Sequence, residues 1–124
     1  MADQDHFADR YVAVWNERDV AARRRQIAAL WAEDAAHFSP AHEARGYDAL
    51  EARVAGAHDK FVGEGGHIFR RAGPVDAHHD VMRFKWEMVP AGGGPIAAVG
   101  QQVLLLQADG RLRLDYQFSE PTPA

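Results

Sequence analysis

The sequence predicts an α+β domain in which three helices come first and an antiparallel sheet follows. In the first half of the chain, apolar residues recur every three to four positions, which is the period of one α-helix face. In the second half they alternate with polar residues, as in a strand with one buried face. The length of 124 residues is that of one domain, so a single domain is expected over residues 1–124.

Three helices and one short strand are predicted in the first half. Asp19 is a suitable amino-terminal cap for the second helix, because its side chain can accept a hydrogen bond from a free backbone N–H. Pro40 ends the short strand, and the glycines between residues 63 and 66 end the third helix. The expected ranges are, in chain order, helix 4–18, helix 20–32, strand 35–39 and helix 47–61.

Four longer strands are predicted in the second half. Residues 81–89 alternate apolar and charged side chains, and a second alternating run begins at Leu112. Asp109 and Gly110 form a dipeptide typical of a hairpin turn. A strongly curved sheet with one apolar face would enclose a pocket between itself and the helices. The expected strands are residues 67–75, 81–89, 96–106 and 111–119.

Charge and composition exclude several classes of function. The chain has 14 Lys and Arg against 18 Asp and Glu, a net charge of −4, which argues against nucleic acid as a partner. It has no apolar run long enough for a membrane span, so no membrane partner is expected. The polar amino terminus argues against a signal peptide, and a cytoplasmic location is expected. The absence of cysteine excludes disulfides, thiolate ligands and thiol nucleophiles.

Short motifs follow one another along residues 5–120. The first half contains Tyr11-Val-Ala-Val-Trp15-Asn16-x-x-Asp19, Leu30-Trp31-Ala-Glu-Asp34-Ala35 and Gly46 at the start of a helix. The second half contains Gly73-Pro74-Val75, Phe84-x-Trp86-Glu87-Met88, Asp109-Gly110-Arg111-Leu112 and Ser119-Glu120. Their order and spacing resemble the nuclear transport factor 2-like superfamily, nearest its SnoaL-like branch, and the second set is similar to the ketosteroid isomerases of that superfamily.

The resemblance implies a cone-shaped, cystatin-like α+β barrel, with three N-terminal helices packed in a highly curved, mainly antiparallel sheet that opens to an apolar cavity. It also implies a homodimer formed through the outer sheet face. Alternation predicts a mixed polar and apolar outer face, which suits an interface. The side chains expected on this face are Arg83, Lys85, Glu87, Val99, Gln101, Val103, Leu105, Arg113, Asp115 and Gln117.

The same alternation predicts which side chains face the cavity. Most of them are aromatic, and together with Ala98 and Gly100 they would shape a slot for a flat apolar ligand. The alternative is that these rings simply fill the core. The candidate ligand-contacting residues are Trp15, Trp31, Ser39, His58, His67, Phe69, Phe84, Trp86, Tyr116 and Phe118.

Tyr11, His37 and Gln102 are the candidate catalytic residues. The resemblance puts Tyr11 at the position of the isomerases' oxyanion-hole tyrosine and Gln102 at that of their protonated acid, and both side chains can donate hydrogen bonds. Ser39 falls at the position of their aspartate base, although an unaided serine cannot abstract an α-proton near neutral pH. His37 lies on the same strand face as Ser39 and is the candidate base, with His67 as the alternative.

The histidines also have structural alternatives, since each could bond a backbone carbonyl or a tyrosine. A metal site made of His37, His58 and His67 is chemically conceivable. However, no two of these residues have compact spacing and no inward carboxylate is expected beside them, so neither a metal nor a cofactor is expected. His78 and His79 are predicted on a solvated turn.

The sequence thus predicts a SnoaL-like domain whose apolar cavity takes a small, carbonyl-bearing molecule. The expected chemistry is proton transfer of the isomerase, cyclase or dehydratase type, with Ser39 as a polar positioning group. The alternative is a non-catalytic module that binds a small ligand or only dimerises, which the lack of a predicted carboxylate base favours.

Overall fold

The structure, a computed structural model, describes residues 2–122 and has the predicted α+β fold. Residue 1 and residues 123–124 of the domain predicted over 1–124 lie outside this range. The helices are α1 (Ala2–Asn16), α2 (Val20–Leu30) and α3 (Gly46–Ala57), which continues into a π-helical segment (His58–Glu64). The strands are β1 (Trp31–Ser39), β2 (His42–Arg45), β3 (His67–Arg71), β4 (Asp76–His78), β5 (Val81–Pro90), β6 (Ala98–Leu106) and β7 (Leu112–Glu120).

The seven strands form one sheet in the order β2-β1-β7-β6-β5-β3, and β4 also pairs with β5. Strands β1 and β7 are parallel, whereas the other neighbouring strands are antiparallel. Helix α1 contacts β3 at one end of the sheet, and α3 contacts β1 near the other end. The sheet therefore curls around the helices, which is the predicted mainly antiparallel, curved architecture.

Several element boundaries differ from the predicted ones. Residues 41–46, which lie between the predicted strand 35–39 and the predicted helix 47–61, contain β2, because Ser39 pairs with His42 and the chain returns as a hairpin. The predicted strand 67–75 ends early, at Arg71, since Gly73 adopts a φ of 92° that no regular strand tolerates, and β4 begins only beyond the predicted range, at Asp76. The predicted cap of α2 is confirmed, because the Asp19 side chain accepts a hydrogen bond from Ala22 N at 2.8 Å.

A β-bulge in β7 reverses the alternation expected for that strand. Leu106 pairs with Leu112 but Leu105 pairs with Leu114, so Arg113 is one extra residue on β7. Beyond the bulge, every side chain faces the sheet surface opposite to the predicted one.

The bulge corrects the prediction for four side chains. Gln117, expected on the outer face, lies inside. Asp115, expected on the outer face, lies inside and is 0% exposed. Tyr116 and Phe118, expected in the cavity, lie on the outer face with exposures of 36% and 54%. The pairing with β6 supports the inward orientation of Asp115, because the buried Leu104 lies opposite it. The expectation that the interior holds no carboxylate is therefore wrong.

None of the helices in residues 2–122 combines the length and the apolar character needed to cross a membrane.

Candidate functional site

A cavity of about 210 Å³ lies between α1, α3, the π-helical segment and the inner face of the sheet. Its walls are mostly aromatic and aliphatic, as the sequence predicts, and Arg53 is the charged residue among them. The lining residues are Tyr11, Val12, Trp15, Arg53, Ala57, Phe61, Phe69, Trp86, Met88, Ala98, Gln102, Gln117 and Ser119.

The carboxyl group of Asp115 joins three polar side chains beside the cavity into one hydrogen-bond network, which a fourth side chain extends. The Tyr11 hydroxyl donates to Asp115 Oδ2 at 2.7 Å, and His37 Nδ1 lies 2.8 Å from the same oxygen. Gln102 Nε2 donates to Asp115 Oδ1 at 2.7 Å and to the Tyr11 hydroxyl oxygen at 2.8 Å. Trp86 Nε1 donates to Gln102 Oε1 at 2.9 Å, which fixes the amide with its N–H groups toward Asp115.

Because the network is buried, the loss of any one of its side chains leaves a polar group without a partner. Asp115 and His37 are 0% exposed and Gln102 is 1% exposed, so a missing partner could not be replaced by bulk water. Burial, and then the nearby Asp115 carboxyl, raises the pKa of Tyr11 well above its ordinary value. The Tyr11 phenol therefore stays protonated throughout the physiological range.

The two predicted donors, Tyr11 and Gln102, do line the cavity, but their protons are engaged with Asp115 and with each other. The Tyr11 hydroxyl can donate a hydrogen bond to a ligand oxygen only when it no longer donates one to Asp115. Their role as donors to a ligand stays a prediction, and it is coupled to the protonation of Asp115.

His37 is buried behind the cavity wall and does not itself line the cavity. Its ring lies 5.4 Å from the ring of Trp15, and the bond from Nδ1 to Asp115 fixes its orientation. Nε2 is buried and has no hydrogen-bond partner among residues 2–122. The Asp115 carboxyl and the His37 imidazole lie 2.8 Å apart, and they are the two types of side chain that general acid–base catalysis most often uses.

Three of the predicted aromatic contacts, Trp15, Phe69 and Trp86, line the cavity. Trp31 and Phe84 lie instead in the core, where their rings contact the Tyr11 ring at 5.2 and 5.7 Å. They face inward as predicted, but the helices cover them, so they support Tyr11 from behind.

The polar candidates Ser39, His58 and His67 do not line the cavity. Ser39 lies in an adjoining groove and its hydroxyl is 3.1 Å from His42 Nδ1, because the β1–β2 hairpin carries it to the rim. His67 Nδ1 is 3.2 Å from the Phe61 carbonyl oxygen, which is the structural alternative considered for it. His58 is buried, with Nδ1 3.8 Å from Asp59 Oδ1. Within residues 2–122, no group of three or more His, Asp or Glu side chains could hold a metal ion.

The sequence reasoning missed Asp115 and Arg53. Nothing in the local pattern of β7 shows the bulge that turns Asp115 inward, since it arises from pairing with β6. Arg53 could have been found, because it lies three residues after Leu50 and four before Ala57, which are both buried. It is thus a charged residue beside the apolar stripe of α3.

Three helices inside a curled sheet, with a cavity between them, define the class of protein as cystatin-like and nuclear transport factor 2-like α+β domains. Within this class, residues 8–114 match the model of the SnoaL-like domain family. The chain belongs to the SnoaL-like family. No curated protein matches the chain.

Solved structures agree with the family. A candidate isomerase of the SnoaL-like family from Agrobacterium tumefaciens is 30% identical and superposes with a TM-score of 0.89, covering 98% of this chain and 100% of that chain. A SnoaL-like protein of unknown function from Burkholderia thailandensis is 15% identical, with a TM-score of 0.74 and 98% of each chain covered. A candidate polyketide cyclase from Sinorhizobium meliloti is 12% identical, with a TM-score of 0.66, covering 90% of this chain and 93% of that chain. The last two show the shared fold alone.

Proposed function

We propose that this SnoaL-like domain catalyses proton transfer on a small, largely apolar molecule that carries a carbonyl group. One observation carries the proposal: the buried Asp115 carboxyl is bonded at once to Tyr11, His37 and Gln102, beside an apolar cavity. A buried carboxyl beside an imidazole brings together two types of side chain that acid–base catalysis uses to accept and donate protons. The A. tumefaciens relative, named a candidate isomerase, agrees with this class of chemistry.

The proposed proton route runs through Tyr11, because Tyr11 lines the cavity and Asp115 does not. The C–H bond next to the ligand carbonyl breaks, and its proton goes to the Tyr11 oxygen. The hydroxyl proton of Tyr11 passes at the same time to Asp115, which shares it with His37. The electron pair stays on the ligand as an enolate.

The relay also frees the Tyr11 hydroxyl to donate a hydrogen bond when negative charge develops on the ligand oxygen. Once Asp115 is protonated, it no longer requires the proton of Tyr11, and the hydroxyl can donate to the enolate oxygen. Returning the proton to a different carbon completes an isomerisation. The role predicted for Tyr11 as an oxyanion donor is thereby retained, with Asp115 rather than Ser39 as the proton acceptor and His37 as its partner.

Enzyme-dependent deuterium exchange would test this route. The α-protons of 2-tetralone, a bicyclic ketone, are followed by NMR in D₂O with and without the protein. We expect the wild type to accelerate exchange, and Asp115→Asn and Tyr11→Phe to lose most of the acceleration. Asp80→Asn, a matched change at an exposed turn, should keep it. Equal rates in the wild type, Asp115→Asn and Tyr11→Phe would reject the relay.

A second candidate function is a binding module without catalysis. It is favoured by the observation that the donors of Tyr11 and Gln102 are already satisfied within the network. In that case the cavity binds a ligand, no exchange is catalysed, and the network only holds the wall in place. Ligand binding together with an exchange rate equal to that without protein would select this function.

We also propose that the chain forms a homodimer through the outer face of the sheet. The bulge in β7 places Tyr116 and Phe118 on that face, and Tyr116 stacks on Phe38 with ring centres 5.1 Å apart. Exposed aromatic rings are enriched at interfaces. Sedimentation velocity should show a dimer that Phe118→Asp dissociates. Val20→Asp, at another exposed apolar residue, should not. A monomeric wild type would overturn this proposal.

A further inference from the structure

Arg53 is the charged residue of the cavity wall, and no carboxylate among residues 2–122 pairs with its guanidinium. The guanidinium lies over the Trp15 ring, 5.2 Å from the ring centre, and Nε is buried without a hydrogen-bond partner. Arg24, Arg70 and Arg71, in contrast, each form an ion pair at the surface. Burial lowers the pKa of Arg53, because a desolvated cation is less stable.

The groove outside the cavity is positive as well. This groove of about 500 Å³ adjoins the cavity at Arg53 and Phe61 and also contains Lys60 and His42. Among the described residues, no Asp or Glu lines either the cavity or the groove, although the whole chain has a net charge of −4. The charge of Arg53, and less strongly that of Lys60, lowers the pKa of His42. A cleft with one sign of charge attracts ligands of the other sign.

Asp115 is the nearby negative group, but it does not neutralise Arg53 by direct contact. Its two oxygens are turned to Tyr11, His37 and Gln102, and it forms no ion pair with Arg53. The cavity therefore has a cationic end at Arg53, where the groove begins. An anionic end of a ligand would lie there, while its apolar part would lie deeper.

The size and walls of the cavity limit the apolar part of such a ligand. An apolar cavity of about 150 Å³ is known to hold benzene, so about 210 Å³ accommodates one ring with a short side chain. Phe69 and Trp86 meet edge to face with ring centres 5.8 Å apart, and they offer an aromatic wall to that ring.

We propose that the ligand of this cavity is an organic anion, an aromatic or alicyclic carboxylate, whose carboxylate pairs with Arg53 and whose ring packs against Phe69 and Trp86. A guanidinium can bind a carboxylate through two parallel hydrogen bonds, which gives strength and orientation together. The inference rests on the proposed function only in placing the ligand in this cavity, and it adds the charge of that ligand.

Two probes of equal shape and different charge test the inference. The affinities of 3-phenylpropionate and 3-phenylpropionamide are measured by isothermal titration calorimetry. We expect the wild type to bind the carboxylate roughly tenfold more tightly or better. Arg53→Met, which keeps a side chain over Trp15, should lose this preference, and Arg53→Lys should keep part of it. Lys60→Gln, the matched loss of a positive charge in the groove, should have the smaller effect.

The result distinguishes this inference from the proposed function. Equal affinity of the wild type for the two probes, binding of neither, or an undiminished preference in Arg53→Met would each overturn the inference. Arg53→Gln serves in place of Arg53→Met if the latter fails to fold. Deuterium exchange of 2-tetralone without a preference for the carboxylate overturns the inference and leaves proton transfer standing. A carboxylate preference without exchange supports the inference and favours the binding module.

Discussion

Replacing Asp115 by Asn tests whether its carboxyl organises the site. The carboxyl accepts a hydrogen bond from Tyr11 at Oδ2, which also lies 2.8 Å from His37 Nδ1, and one from Gln102 at Oδ1. An amide has one oxygen and one NH₂ group, so one of these two positions becomes a donor. If the NH₂ group replaces Oδ1 it faces the NH₂ of Gln102, whose orientation Trp86 fixes. If it replaces Oδ2 it faces the hydroxyl proton of Tyr11.

The expected loss follows from the number of bonds that the amide cannot form. At least one hydrogen bond to a buried carboxyl is lost, and such a bond contributes about 1.5–3 kcal/mol to the free energy of unfolding. Asp115→Asn should therefore lower that free energy by about 2 kcal/mol. For a domain of this length this corresponds to roughly 8 °C in Tm.

Thermal and urea unfolding, followed by circular dichroism, measure this loss. Asp80→Asn makes the same chemical change at an exposed turn and should stay within about 0.5 kcal/mol of the wild type. A double-mutant cycle with Tyr11→Phe isolates the bond between the two residues, and a coupling energy of about 1–3 kcal/mol is expected. An Asp115→Asn protein as stable as the wild type, or a coupling energy near zero, would refute the network as described.

Three further outcomes follow from individual residues. The raised pKa of Tyr11 implies stability that is present below about pH 10, where unfolded tyrosine is protonated, and lost as pH rises above it. Urea unfolding at pH 8 and 11 should thus show a smaller alkaline loss for Tyr11→Phe than for the wild type. Gly100→Ala would bring a methyl group onto the Trp86 indole and should destabilise the fold by about 1–3 kcal/mol, with a change in tryptophan fluorescence. Asp19→Ala removes the cap bond to Ala22 and should lower the free energy of unfolding by about 1 kcal/mol, measured by urea titration. An equal alkaline loss in Tyr11→Phe and the wild type, or wild-type stability in Gly100→Ala or Asp19→Ala, would contradict the corresponding contact.

Much of the fold could be predicted because it is determined locally. Helical period, strand alternation and the cap at Asp19 depend on residues a few positions apart, so the sequence alone shows them. Tyr11, Trp15, Trp86 and Gln102 were placed at the cavity for the same reason, since each belongs to an uninterrupted stripe or strand face.

The parts that could not be predicted depend on contacts between elements, which the alternation within one strand does not show. Ser39 was expected inside the cavity, but the hairpin that β1 forms with β2 places it at the rim of the groove. His67 was a candidate base, but the Phe61 carbonyl oxygen lies 3.2 Å from its Nδ1. The sequence of a single strand does not show which of its residues lie at the rim of the curved sheet.

The sequence by itself determined the class of fold, the family and the apolar character of the cavity. The tertiary structure decided the identity of the acid group, because alternation assigns a face only relative to neighbouring residues on the same strand. The one extra residue of β7, Arg113, turns Asp115 toward the helices and Phe118 toward the outer face. Pairing of β7 with both β6 and β1 sets this register, and the pairing with β1 joins His37 to Asp115, 78 positions further along the chain.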